Sequence, residues 1–410
     1  MMKAYRILRQ KTIEPFRDSP LDVPILNEKL GAIQRAHLKE AGVEIVEHPP
    51  VGEPYLLISD AIWFTAELVR LFLKECRDLR PGQRLYCDHD GWKDLMEPLQ
   101  SVEQGYDLAY VEGEPSFENT ELIAFDWGLT KTEPNVHITM RDATKVLWGG
   151  PAVAHHIEHW SHILRVNQLA IANRAHQVQL LWKRSGIFGK MGMVFSFLWR
   201  VRSINKETVL KRIGSIDKSA KIHPTAVIEA CDIGAGVEIG PYAVLRGSVI
   251  GDGVKIEEHA TVNLSVVGKG AQIGRYATAN LCLLYEESLI SHGGGLQGCL
   301  FGRRSFGAIG VQILDLSFGK NVKVQKDGKW VDSGQRFLGA AVGHEAVLGN
   351  AVRVNYGVAI PNKTTIVAST DDLVRNTDIA LRETEHEQQI FKLEAGELKS
   401  LVRRQRSLKE

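Results

Sequence analysis

An α/β layer domain followed by a three-sided prism of stacked parallel β coils is the architecture the sequence predicts. Three observations predict it. Strands and amphipathic helices alternate through the first third of the chain. Two interleaved series, one large and one small, recur about every six residues through the C-terminal half. Glycine is abundant (38 of 410 residues) while aromatics make up only 7%. Strand–helix alternation belongs to α/β domains, and a short fixed period belongs to repeat coils.

The α/β pattern covers residues 1–135. Strands are expected at 3–9, 43–46, 55–59, 107–113 and 121–126. Residues 27–41 and 61–78 are apolar at helical spacing, with Asn27 and Asp60 as expected N-caps. A connector over 136–210 reads as mostly helical. His155, His159 and His162 fall on one face of it, a metal-cluster pattern. The same face carries Trp160, Ile163 and Leu164, so packing is the expectation and no metal is assigned. Residues 186–202 are the most apolar stretch, bounded by Lys183, Arg184, Arg200 and Arg202. A buried connector is expected there, with a weak membrane-surface contact as the alternative.

The prism covers 211–370. From Ile216 through Ile222, Ile228, Ile233, Ile239 and Leu245 to Phe301, apolar residues recur at steps of 6, 6 and 5, giving a 17-residue coil. At the 44% apolar frequency of the chain, such an unbroken run arises by chance about twice in a million trials. Two residues before each stands a residue no larger than Val, such as Ala220, Ala226, Cys231 and Val237. Large aliphatics fill the prism axis, small residues fit the wall, and coils stack at ~4.8 Å. Gly234, Gly240, Gly251, Gly268 and Gly274 follow the large residues, where positive φ is expected at a corner. The frame resumes at Val342. Between the blocks, residues 319–339 read as a projecting hairpin with Asp327-Gly328 at its tip. The tail, 371–410, reads as a helix, with Phe391, Leu398, Leu401 and Leu408 near heptad spacing.

Composition excludes several classes. With Lys plus Arg 50 and Asp plus Glu 49, the net charge is +1 and no nucleic-acid partner is expected. No apolar run approaches the ~20 residues of a membrane span. The first residues carry no secretory signal pattern. The five cysteines, Cys76, Cys87, Cys231, Cys282 and Cys299, have no CxxC spacing. A reducing cytoplasmic location is expected, without a disulfide framework or zinc ribbon.

The prism pattern resembles the hexapeptide-repeat transferases, whose coils form a left-handed parallel β-helix, an exception to the right-handed crossover rule. In the N-terminal half, a first strand, PILNEKL, a helix and AGVEIV follow the order of sugar nucleotidyltransferases. Together the halves resemble GlmU-like proteins. The loop after the first strand is Gly-rich in that family, because backbone N–H groups must approach phosphates. Here residues 9–20 (RQKTIEPFRDSP) contain no Gly. Arg9, Lys11 and Arg17 remain as phosphate contacts, and Asp60 as the counterpart of the metal-binding aspartate. The missing loop implies that nucleotidyl transfer is lost and the domain binds or scaffolds.

For the prism, the resemblance implies a homotrimer with sites in the clefts between coils. It also implies acyl-CoA (acetyl-CoA) as co-substrate and a sugar-type small molecule as acceptor. A corner histidine would take the acceptor's proton, and backbone N–H groups would hold the oxyanion. The corner histidines are His223, His259, His292 and His344. The family's H-L-x-Y-x-G-D stretch aligns with residues 297–305, placing Gln297 on its histidine and Arg303 on its aspartate. Gln cannot be a general base. His292 is therefore the first candidate. Gly293, Gly294 and Gly295 beside it are expected to admit the thioester, and Arg303 and Arg304 to meet the phosphates of CoA. Residues 331–349 match a second family stretch, with His344 in place of its terminal Asp, which makes His344 the second candidate. Three functions follow: acyl transfer to a sugar or sugar nucleotide, a non-catalytic trimeric scaffold, or sugar-phosphate nucleotidyl transfer.

Overall fold

The computed structural model describes residues 2–9, 11–90, 92, 99, 104–132, 147–186, 214–368, 391–394 and 397–400. The first part contains β1 (Met2–Ile7), β2 (Pro24–Ile25), β3 (Glu28–Lys29), α1 (Leu30–Glu40), β4 (Val43–Val46), β5 (Tyr55–Ser59), β6 (Ile62–Phe64), α2 (Ala66–Cys76), β7 (Gln83–Tyr86), β8 (Leu108–Val111) and β9 (Glu121–Ala124). Six of these strands form one sheet in the order β4-β1-β5-β8-β7-β9, with β1 parallel to both its neighbours. Every residue of β5 is buried, as its unbroken YLLIS run demands.

Both helices begin later than the sequence suggested. Thr65 caps α2, its Oγ1 accepting the N–H of Leu68 at 3.4 Å, and Lys29 precedes α1. Asn27 is instead spent on the turn between β2 and β3, where Leu26 and Asn27 have φ of 51° and 70°. Asp60 faces the end of the sheet, as described below. The connector departs further from expectation. Leu147–Gly149 pairs with Thr130–Thr132, and Ala154–His156 pairs with β6. The buried backbone there needs partners, and the strand edge of β6 supplies them. A helix follows only at Trp160–Arg184. Beyond Gly186 the apolar 186–202 stretch lies outside the described residues.

Residues 214–366 wind into a left-handed parallel β-helix. Its first face has eight strands from Lys221–Ile222 to Thr365–Ile366. The second has seven, from Val227–Glu229 to Arg353–Val354, and the third seven, from Asp232–Ile233 to Ala359–Ile360. Ile222 pairs with Ile239 and Ile239 with Ile256, so the coils before the hairpin are the 17 residues of the sequence period, while Val342 pairs with Ile360 across 18. Both series are buried: Ile239, Leu245 and Ile250 on the axis, Val237, Ala243 and Ser248 beside them. Where the large series would put an aliphatic at 307, the residue is Gly307, and the Phe301 ring fills the space, 3.2 Å from where a Cβ would stand.

The glycines after the large residues serve another purpose than the one expected. Positive φ falls elsewhere, once per corner: for example at Tyr242, Ala230 and Gly236. At Gly268 a Cβ would lie 2.6 Å from the backbone N of Glu286, and at Gly251 2.8 Å from that of Lys269. These positions are glycine because the next coil's backbone passes too close for any side chain.

The third face is not exposed. Val266, Leu283, Leu300 and Ala341 point out of the prism and join the core of the α/β domain. Asn27 Nδ2 donates to Val267 O at 3.0 Å, Asn362 Nδ2 donates to Phe16 O at 2.8 Å, and Arg174 pairs with Asp232. Among the described residues, the first and second faces and their shared corner take no part in this packing. The hairpin, Lys323–Lys326 with Lys329–Asp332, has Asp327 and Gly328 at its turn as expected. It is not a free arm, however. Val322 and Val324 are buried, the Gln325 carbonyl is 3.1 Å from His159 Nε2, and Lys326 Nζ donates to Leu99 O. Its apolar edge needs a surface, and the α/β domain provides one. In the tail, Phe391–Glu394 pairs antiparallel with Glu397–Ser400 in place of the expected helix. The apolar–charged alternation of FKLE has strand period. Leu401 and Leu408 lie outside the described residues.

Two glycine substitutions separate the two roles. Gly268→Ala should lower the melting temperature more than Gly236→Ala. The former overpacks rigid backbone, at roughly 1–3 kcal/mol. The latter sits at φ +65° with nothing within 4 Å, and carries only the left-handed penalty of roughly 1 kcal/mol. Equal shifts in thermal melts would contradict the close-approach account.

Candidate functional site

The corner between the first and second faces carries His292. Its side chain is 49% exposed, and among the described residues Nε2 has no hydrogen-bond partner. Nδ1 lies 3.2 Å from the backbone N of Arg275 and 3.5 Å from Glu257 Oε2. Glu257 reaches it across two coils because Gly274 holds the intervening position without a side chain. With the Arg275 N–H donated to Glu257 Oε2 at 3.1 Å, a proton on Nδ1 faces that carboxylate and the Nε2 lone pair points outward. The three glycines differ. Gly293, at φ +65°, borders open space, and its N–H donates to Arg275 O at 2.8 Å. A Cβ on Gly294 would meet Ile290 Cγ2 at 2.6 Å, and one on Gly295 would meet Gln312 Oε1 at 2.3 Å. The Gly295 N–H donates to Val311 O at 2.8 Å. The N–H groups of Gly293 and Gly295 thus serve coil stacking. Gln297 stands on the second face, its Oε1 accepting from Asn280 Nδ2 at 3.0 Å.

Arg303, Arg304 and His344 stand at a different corner, between the third and first faces, so one chain does not bring them to His292. His344 is half-buried against Phe16 and Tyr285. Its Nδ1 accepts the N–H of Arg303 at 2.9 Å, and Nε2 lies 3.3 Å from both oxygens of Asp18. Arg303 donates to Asp18 at 2.8 Å and to Glu286 at 3.1 Å, with its guanidinium 5.1 Å from the Tyr285 ring centroid. Burial pushes the Asp18 carboxyl up, but hydrogen bonds from His344 and Arg303 outweigh it and hold the group below its usual value. Both ring nitrogens of His344 are therefore engaged, and the cluster pins the 13–18 loop to the prism. Arg304 pairs with Glu345 at 2.5 Å on the surface.

The α/β domain has its own crevice, beyond the carboxyl ends of β1 and β5, where β4 and β5 lie on opposite sides of β1. Ligands of open α/β sheets bind at such switch points. Here the Arg9 N–H points at both oxygens of the buried Asp60, 3.2 Å from each. The Arg9 guanidinium turns inward to pair with Asp107 and, at 2.5 Å, with Glu158. Arg84 pairs with Asp107 at 2.9 Å, and the Asp107 N–H donates to His156 Nε2 at 3.0 Å. Burial raises the Asp107 pKa, but His156 and Arg9 outweigh it and hold the carboxyl well below the carboxylate range. Burial shifts the Asp60 carboxyl upward. Lys11 and Arg17 are exposed. The Arg9 side chain is thus spent on the acidic groups at this end of the sheet.

The three connector histidines do meet, though on a strand, a turn and a helix. His155 and His159 have ring centroids 5.1 and 5.9 Å from that of His162. All three are buried, and among the described residues no group of three or more His, Cys, Asp or Glu is placed to hold a metal. Burial lowers His155 to about 3 and His159 to about 4, and drives His162 well below 6.5.

Asp18, Asp107, Glu158 and Glu257 were missed from sequence. Only Glu257 had a readable signal, since it stands two coils, or twice 17 residues, before Ser291 at the same corner.

Residues 212–301 match the GMPPB C-terminal domain family. Among solved structures, LpxA, a UDP-N-acetylglucosamine acyltransferase from Bacteroides fragilis 9343, is 17% identical over 37% of this chain and 58% of that one, with a TM-score of 0.23. A perosamine N-acetyltransferase from Caulobacter crescentus, in complex with CoA and GDP-perosamine, is 16% identical over 38% of this chain and 53% of that one, with a TM-score of 0.15. A hexapeptide transferase family protein from Anaplasma phagocytophilum is 19% identical over 38% and 74%, with a TM-score of 0.18. The match thus spans little more than half the length of the first two. No curated protein sequence matches. The chain thus joins an α/β domain to a left-handed parallel β-helix. Among the described residues no helix is long and apolar enough to cross a membrane.

The buried histidines make stability depend on pH. They are neutral when folded and take up protons on unfolding. Stability is complete above the unfolded value near 6.5, then falls as pH drops toward the folded values of about 4 for His159 and about 3 for His155. His37 and His176, also lowered by burial, add in the same sense. Each proton steepens the fall by about 1.4 kcal/mol per pH unit. Urea midpoints should therefore drop clearly between pH 7 and pH 5, before ordinary carboxylates titrate. A flat profile over that range would contradict the buried-neutral assignment.

Proposed function

We propose that the protein is an acyltransferase of the hexapeptide-repeat type, moving an acyl group from acyl-CoA, with acetyl-CoA the simplest donor, to a sugar or sugar-nucleotide acceptor. The observation that carries this reading is His292: an exposed corner imidazole with a free Nε2 and a carboxylate near Nδ1. His292 Nε2 takes the proton of the acceptor's amine or hydroxyl as that atom attacks the thioester carbonyl. The tetrahedral intermediate collapses, the C–S bond breaks, and the imidazolium returns the proton to the CoA thiolate. His344 is the weaker candidate because Asp18 and Arg303 occupy both its nitrogens. The α/β domain is read as a binding or scaffolding part, since Arg9 fills its crevice.

Removing a general base costs roughly 10²–10⁴ in rate. His292→Ala should lose acyl transfer by that factor and keep the melting temperature of the parent. Full activity in His292→Ala, with loss in His344→Ala, would move the site to the other corner. A wild-type protein that consumes no acyl-CoA with any amino-sugar or sugar-nucleotide acceptor favours the scaffold reading.

The same proposal includes a homotrimer. The third face is taken by the chain's own domain, so side-by-side packing must use the first and second faces. Sedimentation equilibrium should give three times the 45.6 kDa chain mass, and a monomer at micromolar concentration would overturn it.

A further inference from the structure

One column of the free corner stands out. Thr225, Tyr242, His259, Tyr276, Gly293 and Gly310 occupy the same corner position in successive coils, 17 residues apart. The rings of Tyr242 and His259 stack with centroids 5.1 Å apart and planes within 13°. Those of His259 and Tyr276 stack at 4.9 Å and 5°. These separations match the ~4.8 Å rise of a parallel coil, so the ladder is set by the backbone. It is also a surface feature: Tyr242 is 58% and Tyr276 65% exposed. Parallel rings one coil apart present their edges outward and one open face at the end of the stack.

The stack ends abruptly. In the next two coils the column holds Gly293 and Gly310, with φ of 65° and 72°. A Cβ at Gly293 would meet nothing within 4 Å. Left-handed φ does not demand glycine in this column, because Tyr242, His259 and Tyr276 adopt φ of 59°, 60° and 57° there. The missing side chains therefore leave a slot about two coils high. Tyr276 closes one end of it, and His292 and the exposed Ile309 flank it one residue earlier in the chain.

We infer that this slot binds the planar base of a nucleotide, stacked on Tyr276 as the next rung of the ladder. The inference rests on the acyltransferase reading and deepens it, since both an acyl-CoA and a sugar nucleotide carry a base. Aromatic faces of this kind hold bases by stacking, with a loss of roughly five- to 150-fold on alanine substitution.

Calorimetric titration of the full chain with AMP, CoA, UMP and ribose 5-phosphate tests it. Binding of the base-bearing compounds, and not of ribose 5-phosphate, is expected. Tighter AMP and CoA than UMP assigns the slot to the donor, and the reverse assigns it to the acceptor. Tyr276→Ala should weaken binding at least fivefold, and Tyr276→Phe should preserve it. Gly293→Tyr, at a φ its column already accepts for Tyr, should fold normally and block the slot with a ring of its own. Unchanged affinity in Gly293→Tyr overturns the inference. So does a Tyr276→Ala variant that binds normally but changes oligomeric mass, which makes the ladder a subunit contact. If the base binds as described and the wild type transfers no acyl group, the slot stands and the proposed reaction fails. If His292→Ala stops turnover while Gly293→Tyr leaves the KM for both substrates unchanged, the reaction stands and the slot fails.

Discussion

Seventeen residues per coil is the constraint from which the rest of the prism follows. Because residue i sits over i+17 in the coils before the hairpin, any side chain there is repeated in space by the residues one period away. An aliphatic at one inward position demands space at the same position above, as the Phe301 and Gly307 exchange shows. A glycine whose Cβ would fall within 3 Å of the next coil's backbone cannot be replaced without parting the coils. The same rule turns Tyr242, His259 and Tyr276 into a stack and lets Glu257 reach His292 over Gly274.

The second constraint is the burial of the third face. Leu283 and Leu300 would be exposed on a bare prism, and the α/β domain covers them. Among the described residues, that choice leaves one corner outside the packing, opposite the covered face. It also consumes groups that a different arrangement would leave for ligands. Arg303 and His344 hold Asp18 in place, and Arg9 neutralises Asp107 and Glu158. Two regions that resemble ligand sites in sequence are thereby turned into internal contacts, while the corner with His292 lies outside those contacts.

The core of the prism was legible because inward positions must be apolar at a fixed period, and that requirement is written in consecutive residues. The hairpin turn at Asp327-Gly328 was legible for the same local reason. What escaped were features that depend on residues distant in the chain. Asp18 and His344 are 326 residues apart, and nothing in either neighbourhood announces the other. The absence of glycine in 9–20 signalled that the phosphate loop was gone, but not that Arg9 fills the vacated pocket. The glycines after the large residues were read as corners needing positive φ. They mark close approach between coils, which a single period of sequence cannot distinguish from a turn. Asn27 looked like a helix cap and is a hairpin turn residue, a competition that two neighbouring elements decide.

The division of labour between the two parts, a closed α/β crevice and an open working corner, is the centre of this account. A crystal structure of the protein soaked with CoA together with a sugar nucleotide tests it most directly. The account predicts ligand density along the free corner, against His292, Gly293 and Tyr276, with Arg9 still paired to Asp107. Density in the α/β crevice, with Arg9 displaced and the corner empty, would contradict it.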